Sequence, residues 1–142
     1  MLKEKLFGVI SLGCDKNRVD TEKLLGLLKA KGCPKVVIND LARCDMAEAV
    51  EDAFRYGKLV LATTTYNAEI FPFMREFINH LTERGYKNRT IGMIENGTWA
   101  PMANKVMEKM LEPCKNITYA SNKVTIFSAL SSESSAQLEA LA

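Results

Sequence analysis

The stretch Lys58-Leu59-Val60-Leu61-Ala62-Thr63, running on into Thr64-Thr65-Tyr66-Asn67-Ala68, decides how this chain folds. Its first part has a continuous apolar centre. That is the pattern of a strand covered on both faces, not of one that alternates toward water. Such a strand needs helices above and below it, and the flanking sequence supplies them. Leu6–Ser11 (LFGVIS), Lys35–Asn39 (KVVIN), Arg89–Ile94 (RTIGMI) and Lys123–Phe127 (KVTIF) read as further strands. Between them lie stretches of helical period: Asp20–Lys31 with Leu24, Leu25, Leu27 and Leu28, and Asp45–Tyr56 with Ala49, Val50, Ala53 and Phe54. Phe71–Arg84 is entered at Pro72, Pro101–Leu111 follows the fourth strand, and Ser131–Leu141 closes the series with Ser131 or Ser132 as N-cap. Gly32 stands where a helix C-cap glycine belongs, and Pro34 blocks continuation.

Strand alternating with helix five times over predicts one α/β domain spanning 1–142, with a parallel sheet and right-handed crossovers. In 142 residues this fits a three-layer flavodoxin-like sandwich, a five-stranded parallel sheet of order 2-1-3-4-5. The longer dinucleotide-binding fold and a barrel fit less well. A net charge of +2 from 19 basic and 17 acidic side chains gives no reason to expect nucleic acid or an anionic membrane as partner. The apolar runs are too short to span a bilayer, and Met1–Lys5 leads into a strand without a signal-peptide apolar region, so a cytoplasmic protein is expected. The cysteines Cys14, Cys33, Cys44 and Cys114 form no Cys-x-x-Cys pair, and His80 is the only histidine. They read as thiols, and no metal site is expected.

In open parallel sheets ligands bind beyond the carboxyl ends of the strands, where the strand order reverses. Three loops fall there. Thr63, Thr64, Thr65, Tyr66, Asn67 and Ala68 bring hydrogen-bonding groups beside an aromatic ring, although Thr and Asn are also ordinary turn and capping residues. Glu95-Asn96-Gly97-Thr98-Trp99-Ala100-Pro101 holds an Asn-Gly pair, which allows close backbone approach, and the single tryptophan. Trp99 either caps the core or lies against an aromatic ligand, and two aromatic-bearing loops at one switch point favour the ligand. The first loop, Leu12–Val19, runs to a helix N-terminus, where amides and dipole favour an anion. Ser11, Cys14, Lys16 and Asn17 would receive it, while Asp15 and Asp20 oppose a phosphate; the alternative is a solvated loop with Asp20 as N-cap. Cys14, beside Lys16 at that helix start, has the placement of a thiol with lowered pKa. No catalytic constellation, Walker loop or Gly-x-Gly-x-x-Gly is present.

From about residue 33 onward the chain resembles the flavodoxin domain of A-type flavoproteins, or flavodiiron proteins. The resemblance is carried by Ala53-Phe54-Arg55-Tyr56, Leu59–Thr65, Thr65-Tyr66-Asn67-Ala68-Glu69-Ile70-Phe71-Pro72, Asn88-Arg89-Thr90 and Ile94-Glu95-Asn96-Gly97-Thr98-Trp99-Ala100-Pro101. It implies FMN, with Thr63–Ala68 lining one side of the isoalloxazine and Asn96, Gly97, Thr98, Trp99 and Ala100 the other. It also implies electron exchange with a redox partner protein, a reductase or a diiron oxidase domain. The expected activity is that of an electron-transfer domain, not of a stand-alone enzyme.

The first 32 residues differ. Ile10-Ser11-Leu12-Gly13-Cys14-Asp15-Lys16-Asn17-Arg18-Val19-Asp20-Thr21-Glu22, with Leu24–Leu28 after it, resembles the N-terminus of radical-SAM methylthiotransferases. In that family the cysteine of Leu-Gly-Cys ligates an iron–sulfur cluster together with two further cysteines. Here only Cys14 matches. Val37-Ile38-Asn39-Asp40 lacks the second cysteine and the third is missing, so no cluster is expected. The chain therefore reads as a hybrid of a 1–32 methylthiotransferase-like and a 33–142 flavodoxin-like segment, by recombination or design or by natural fusion. The alternative to an FMN-binding electron-transfer domain with a weakened phosphate site is a non-enzymatic chimeric or designed flavodoxin-like scaffold with little or no FMN binding.

Overall fold

In the computed structural model, residues 6–11, 26–30, 35–41, 43–66, 69–70, 72–96, 102–120 and 124–126 are described. The sheet is built outward from β1 (Leu6–Ser11), which pairs in parallel with β2 (Lys35–Asp40) on one side and β3 (Lys58–Tyr66) on the other. β3 in turn pairs in parallel with β5 (Lys87–Asn96), from Lys58 opposite Thr90 to Thr64 opposite Asn96. Beyond β5 lie β6 (Lys115–Tyr119) and β7 (Val124–Ile126), both parallel to it. The short β4 (Glu69–Ile70) folds back antiparallel on the end of β3. The spatial order is β2-β1-β3-β5-β6, with β4 attached to β3 and β7 to β5. This is a flavodoxin-like α/β fold with a parallel sheet.

Two features differ from the sequence reading of five uninterrupted strands. The expected fifth strand, Lys123–Phe127, is preceded by β6, and both pair with β5. From Ile91–Tyr119 to Ile94–Val124, three residue steps on β5 face five on its partner. The register is therefore offset by two residues between them, and β6 and β7 pair with β5 as separate strands. The antiparallel β4 was also not expected; two residues of pairing leave no sequence period to read.

The helices are α1 (residues 26–30), α2 (Met46–Arg55), α3 (Pro72–Glu83) and α4 (Ala103–Met110). Leu28 of α1 is buried, while the expected helix over Ser131–Leu141 and the Gly32–Pro34 stop lie outside the described residues. α2 begins where Asp45 accepts a hydrogen bond from the Ala47 amide at 2.8 Å, and it buries Ala49, Val50 and Ala53 as its spacing predicts. Asn39 of β2 is buried and donates from Nδ2 to Asp52 of α2 at 3.0 Å. α3 ends in a Schellman motif. The Tyr86 amide donates to the Leu81 carbonyl and the Gly85 amide to that of Thr82, with Gly85 at φ 70°. The core between sheet and helices is built from Leu59, Leu61, Met74, Phe77, Ile91 and Met107, among others.

Arg89 secures the other end of α2. Its Nη2 donates to the Phe54 carbonyl at 2.8 Å and its Nε to that of Tyr56 at 3.0 Å, placing a cation at a helix C-terminus. The same guanidinium lies 5.4 Å above the Tyr86 ring, which meets Phe54 edge-on. The Tyr86 hydroxyl is buried with no hydrogen-bond partner, and burial pushes its pKa well above the ordinary range, against a smaller opposite effect from Arg89. A raised folded-state pKa means that this contribution to stability is present below the ordinary tyrosine value and is lost as pH rises above ~10. Tyr86→Phe is therefore expected to match or exceed the parent at pH 7, by up to about 1 kcal/mol. It should also lose less stability between pH 9 and pH 11 (about a unit either side of that pKa) in urea unfolding.

Candidate functional site

The parallel register brings the two ligand-loop candidates to one edge of the sheet. Thr63 lies opposite Glu95 and Thr64 opposite Asn96, so the segments leave adjacent strands side by side. β1 reaches the same edge, with Ser11 opposite Ala62. Thr63 ends the strand as read from sequence, and Thr64, Thr65 and Tyr66, read as loop, prolong β3, because the ladder with β5 continues to Thr64 and β4 pairs with Thr65 and Tyr66. Glu95 and Asn96 likewise belong to β5. Asn67, Ala68, Gly97, Thr98, Trp99 and Ala100 lie outside the described residues, as do Cys14, Lys16 and Asn17.

Among the candidates Thr63 is the one whose side-chain surroundings are described. It is 1% exposed, and its hydroxyl has no hydrogen-bond partner. An unsatisfied buried hydroxyl costs free energy, so its presence at the carboxyl end of the sheet calls for a reason.

Beside it stands a residue that sequence reasoning left without a role. Glu95 is 7% exposed, and both of its carboxylate oxygens are engaged. Oε2 accepts from the Asn104 amide of α4 at 2.9 Å, and Oε1 from the Thr125 hydroxyl of β7 at 2.9 Å. Met102, at the N-cap position of α4, offers no side-chain cap, so the first turn takes its acceptor from the neighbouring strand. A carboxylate there is favoured by the helix dipole. It also fills the place an anionic ligand group would take, so a phosphate on this edge has to be held elsewhere. The signal in the sequence was an acidic residue ending the apolar run RTIGMI, where a buried strand would otherwise continue.

Among the described residues the other reactive groups are two thiols and one imidazole. Cys44 and Cys114 are free thiols whose pKa burial raises, so at neutral pH they are protonated. His80 sits on α3 between Glu76 and Glu83 of the same helix and Arg84 just beyond its end. Among the described residues no group of three His, Cys, Asp or Glu side chains could hold a metal ion, and no helix is long and apolar enough to cross a membrane.

Comparison with known proteins follows the fold and divides on the sequence. The ribosomal protein uS12 methylthiotransferase RimO of Caldanaerobacter subterraneus is 54% identical over 39 residues, 28% of this chain and 8% of that protein. RimO of a Thermoanaerobacter species is 33% identical over 109 residues, 75% of this chain and 21% of that protein. The chain thus spans at most about a fifth of these curated relatives. An alignment of that length also runs past residue 32, so the methylthiotransferase likeness is not confined to the first strand and helix. No protein-family model matches the chain. Among solved structures, the rubredoxin oxygen:oxidoreductase of Desulfovibrio gigas superposes with a TM-score of 0.85 at 14% identity, over 96% of this chain and 33% of that one. An archaeal flavodoxin gives 0.80 at 11% identity, over 96% and 92%. The flavodoxin of Fusobacterium nucleatum, solved with flavin mononucleotide, gives 0.68 at 10% identity, over 96% and 93%. At these identities the structural likeness establishes the fold.

Because the Thr63 hydroxyl has nothing to lose in the free protein, Thr63→Val should leave stability unchanged or raise it by up to about 1 kcal/mol. Chemical denaturation of the ligand-free protein checks this.

Proposed function

We propose that the chain is an FMN-binding electron-transfer domain of the flavodoxin type. Thr63–Ala68 and Asn96–Ala100 would flank the ring, and Ser11, Cys14, Lys16 and Asn17 would receive the phosphate. The observation that carries this reading is the register of β3 against β5, which sets both segments at one carboxyl edge of the sheet. The partnerless Thr63 hydroxyl suits a polar ligand at that edge. Flavin, when bound, supplies the electron chemistry; the chain's own residues hold the ring, exclude water and hydrogen-bond its polar rim. In this reading β6 and β7 together occupy the fifth position of a 2-1-3-4-5 sheet, and the protein works in the cytoplasm with a reductase or a diiron oxidase domain. The D. gigas oxidoreductase, of which this fold spans 33%, supports such a partnership.

The 54% identity to RimO over 39 residues favours a second reading. If residues 1–32 came from a methylthiotransferase and 33–142 from a flavodoxin domain, the chain is a hybrid scaffold whose phosphate loop is foreign. Its residues Cys14, Asp15, Lys16 and Asn17 offer thiol and carboxylate where hydroxyls would serve a dianion. Titration of apo-protein with FMN, followed by quenching of flavin fluorescence, separates the two. Saturable binding with retained yellow colour is expected for the first, and no uptake at any accessible concentration refutes it. With Cys14→Ser and Asp15→Gly together, affinity should rise by roughly tenfold, or about 1.4 kcal/mol, if the foreign loop limits binding.

A further inference from the structure

A groove of about 470 Å³ lies between the end of α4 and β6. We infer that it receives an arginine side chain of a protein partner. The inference is independent of the FMN reading, because none of the residues assigned to that reading lines the groove. Its floor is apolar. Leu111, at the end of α4, is buried, and Cys114, Ile117 and Tyr119 are half-buried against the core. Ile117 and Tyr119 stand two residues apart on β6 and so point to one face of the sheet. The rim is acidic, with Glu108 in the last turn of α4 and Glu112 just beyond it. Among the described residues no basic side chain lines the groove; Lys109 and Lys115 are exposed and lie outside its lining. Burial raises the Tyr119 pKa, and Glu108, Cys114 and Glu112 act in the same sense. The field of both carboxylates therefore reaches the phenol.

Charge decides what the groove takes. A helix C-terminus already carries partial negative charge, and acidic side chains there work against the helix. A cation seated between Glu108 and Glu112 turns that repulsion into attraction. It needs an apolar stem to cover Leu111 and Ile117, and a flat head to lie on the Tyr119 ring. Arginine has all three features, whereas the ammonium of lysine is not planar. A side chain enters here, and not a strand, because Asn116 interrupts the edge of β6 with left-handed backbone at φ 54°. The rim is open to water, so a single ion pair there is weak, and a partner protein retains it through further surface.

N-acetyl-arginine amide is the probe, and N-acetyl-citrulline amide is its neutral isostere. Titrated into the full chain, the arginine probe should give saturable amide shifts in NMR spectra at Leu111, Cys114, Ile117 and Tyr119. A Kd of about 1 mM is expected, weakening as salt is raised. The citrulline probe should bind at least fivefold more weakly, as loss of an ion pair of about 1 kcal/mol implies. Glu112→Gln should weaken the arginine probe by a similar factor, and Glu108→Gln with Glu112→Gln should abolish saturation. If the double variant does not fold, the two single variants decide. Placed within a glycine-flanked pentapeptide, the same arginine should bind no more weakly. Equal binding of the citrulline probe overturns the inference, as does binding that survives loss of both carboxylates. Shifts absent from the groove overturn it too. A lysine analogue that binds as tightly refutes the choice of arginine, and a pentapeptide that binds more weakly refutes a protein as its source.

Discussion

β3 and β5 run in parallel register from Lys58 opposite Thr90 to Thr64 opposite Asn96, and most of what the protein offers chemically follows from that alignment. Both strands are buried on both faces through their centres, at Leu59, Val60 and Leu61 and at Ile91, Met93 and Ile94. A slip of one residue would carry each side chain to the opposite face and offset the two polar segments along the edge. Register here is a matter of burial, and the position of the candidate site is a by-product of it.

β5 also carries a charge near each end, and each charge meets the helix terminus that suits it. Arg89, at the amino-terminal end of the strand, gives its hydrogens to the last carbonyls of α2. Glu95, at the carboxyl end, accepts from the first turn of α4. One strand therefore anchors helices with charges of opposite sign at opposite edges, in agreement with the direction of each helix dipole. The layers are joined by these two side chains as well as by apolar packing, which by itself has no preferred direction.

The layered α/β architecture was legible because burial on both faces writes itself into the sequence as unbroken apolar runs such as Leu59–Ala62. The α2 face was legible for the same reason, through Ala49, Val50 and Ala53. What escaped was decided by partners distant in sequence. The extension of β3 to Tyr66 depends on pairing with β4 and β5, and no property of Thr64 or Thr65 alone announces it. The cap of α4 comes from a residue nine positions earlier, outside any local capping pattern. At the candidate site the residue types of Thr63–Tyr66 and of Glu95 and Asn96 were readable, and so was the place of these residues near strand ends. The burial of the Thr63 hydroxyl was not, since only the packed structure determines which hydroxyls are left without partners.

One irregularity between β5 and β6 bears on how the molecule behaves among its own copies. Between the pairs Lys87–Lys115 and Arg89–Ile117, Asn88 and Asn116 both adopt left-handed backbone, at φ 55° and 54°, and Asn116 donates from its side chain to that of Asn88 at 2.8 Å. Asparagine tolerates that conformation; β-branched residues do not. β6 is the last strand on its side of the described sheet, and at Asn116 it is kinked out of regular extension. A kinked edge flanked by Lys115 makes a poor template for a strand from another molecule. The pair thus makes this edge of the described sheet a poor partner for edge-to-edge aggregation.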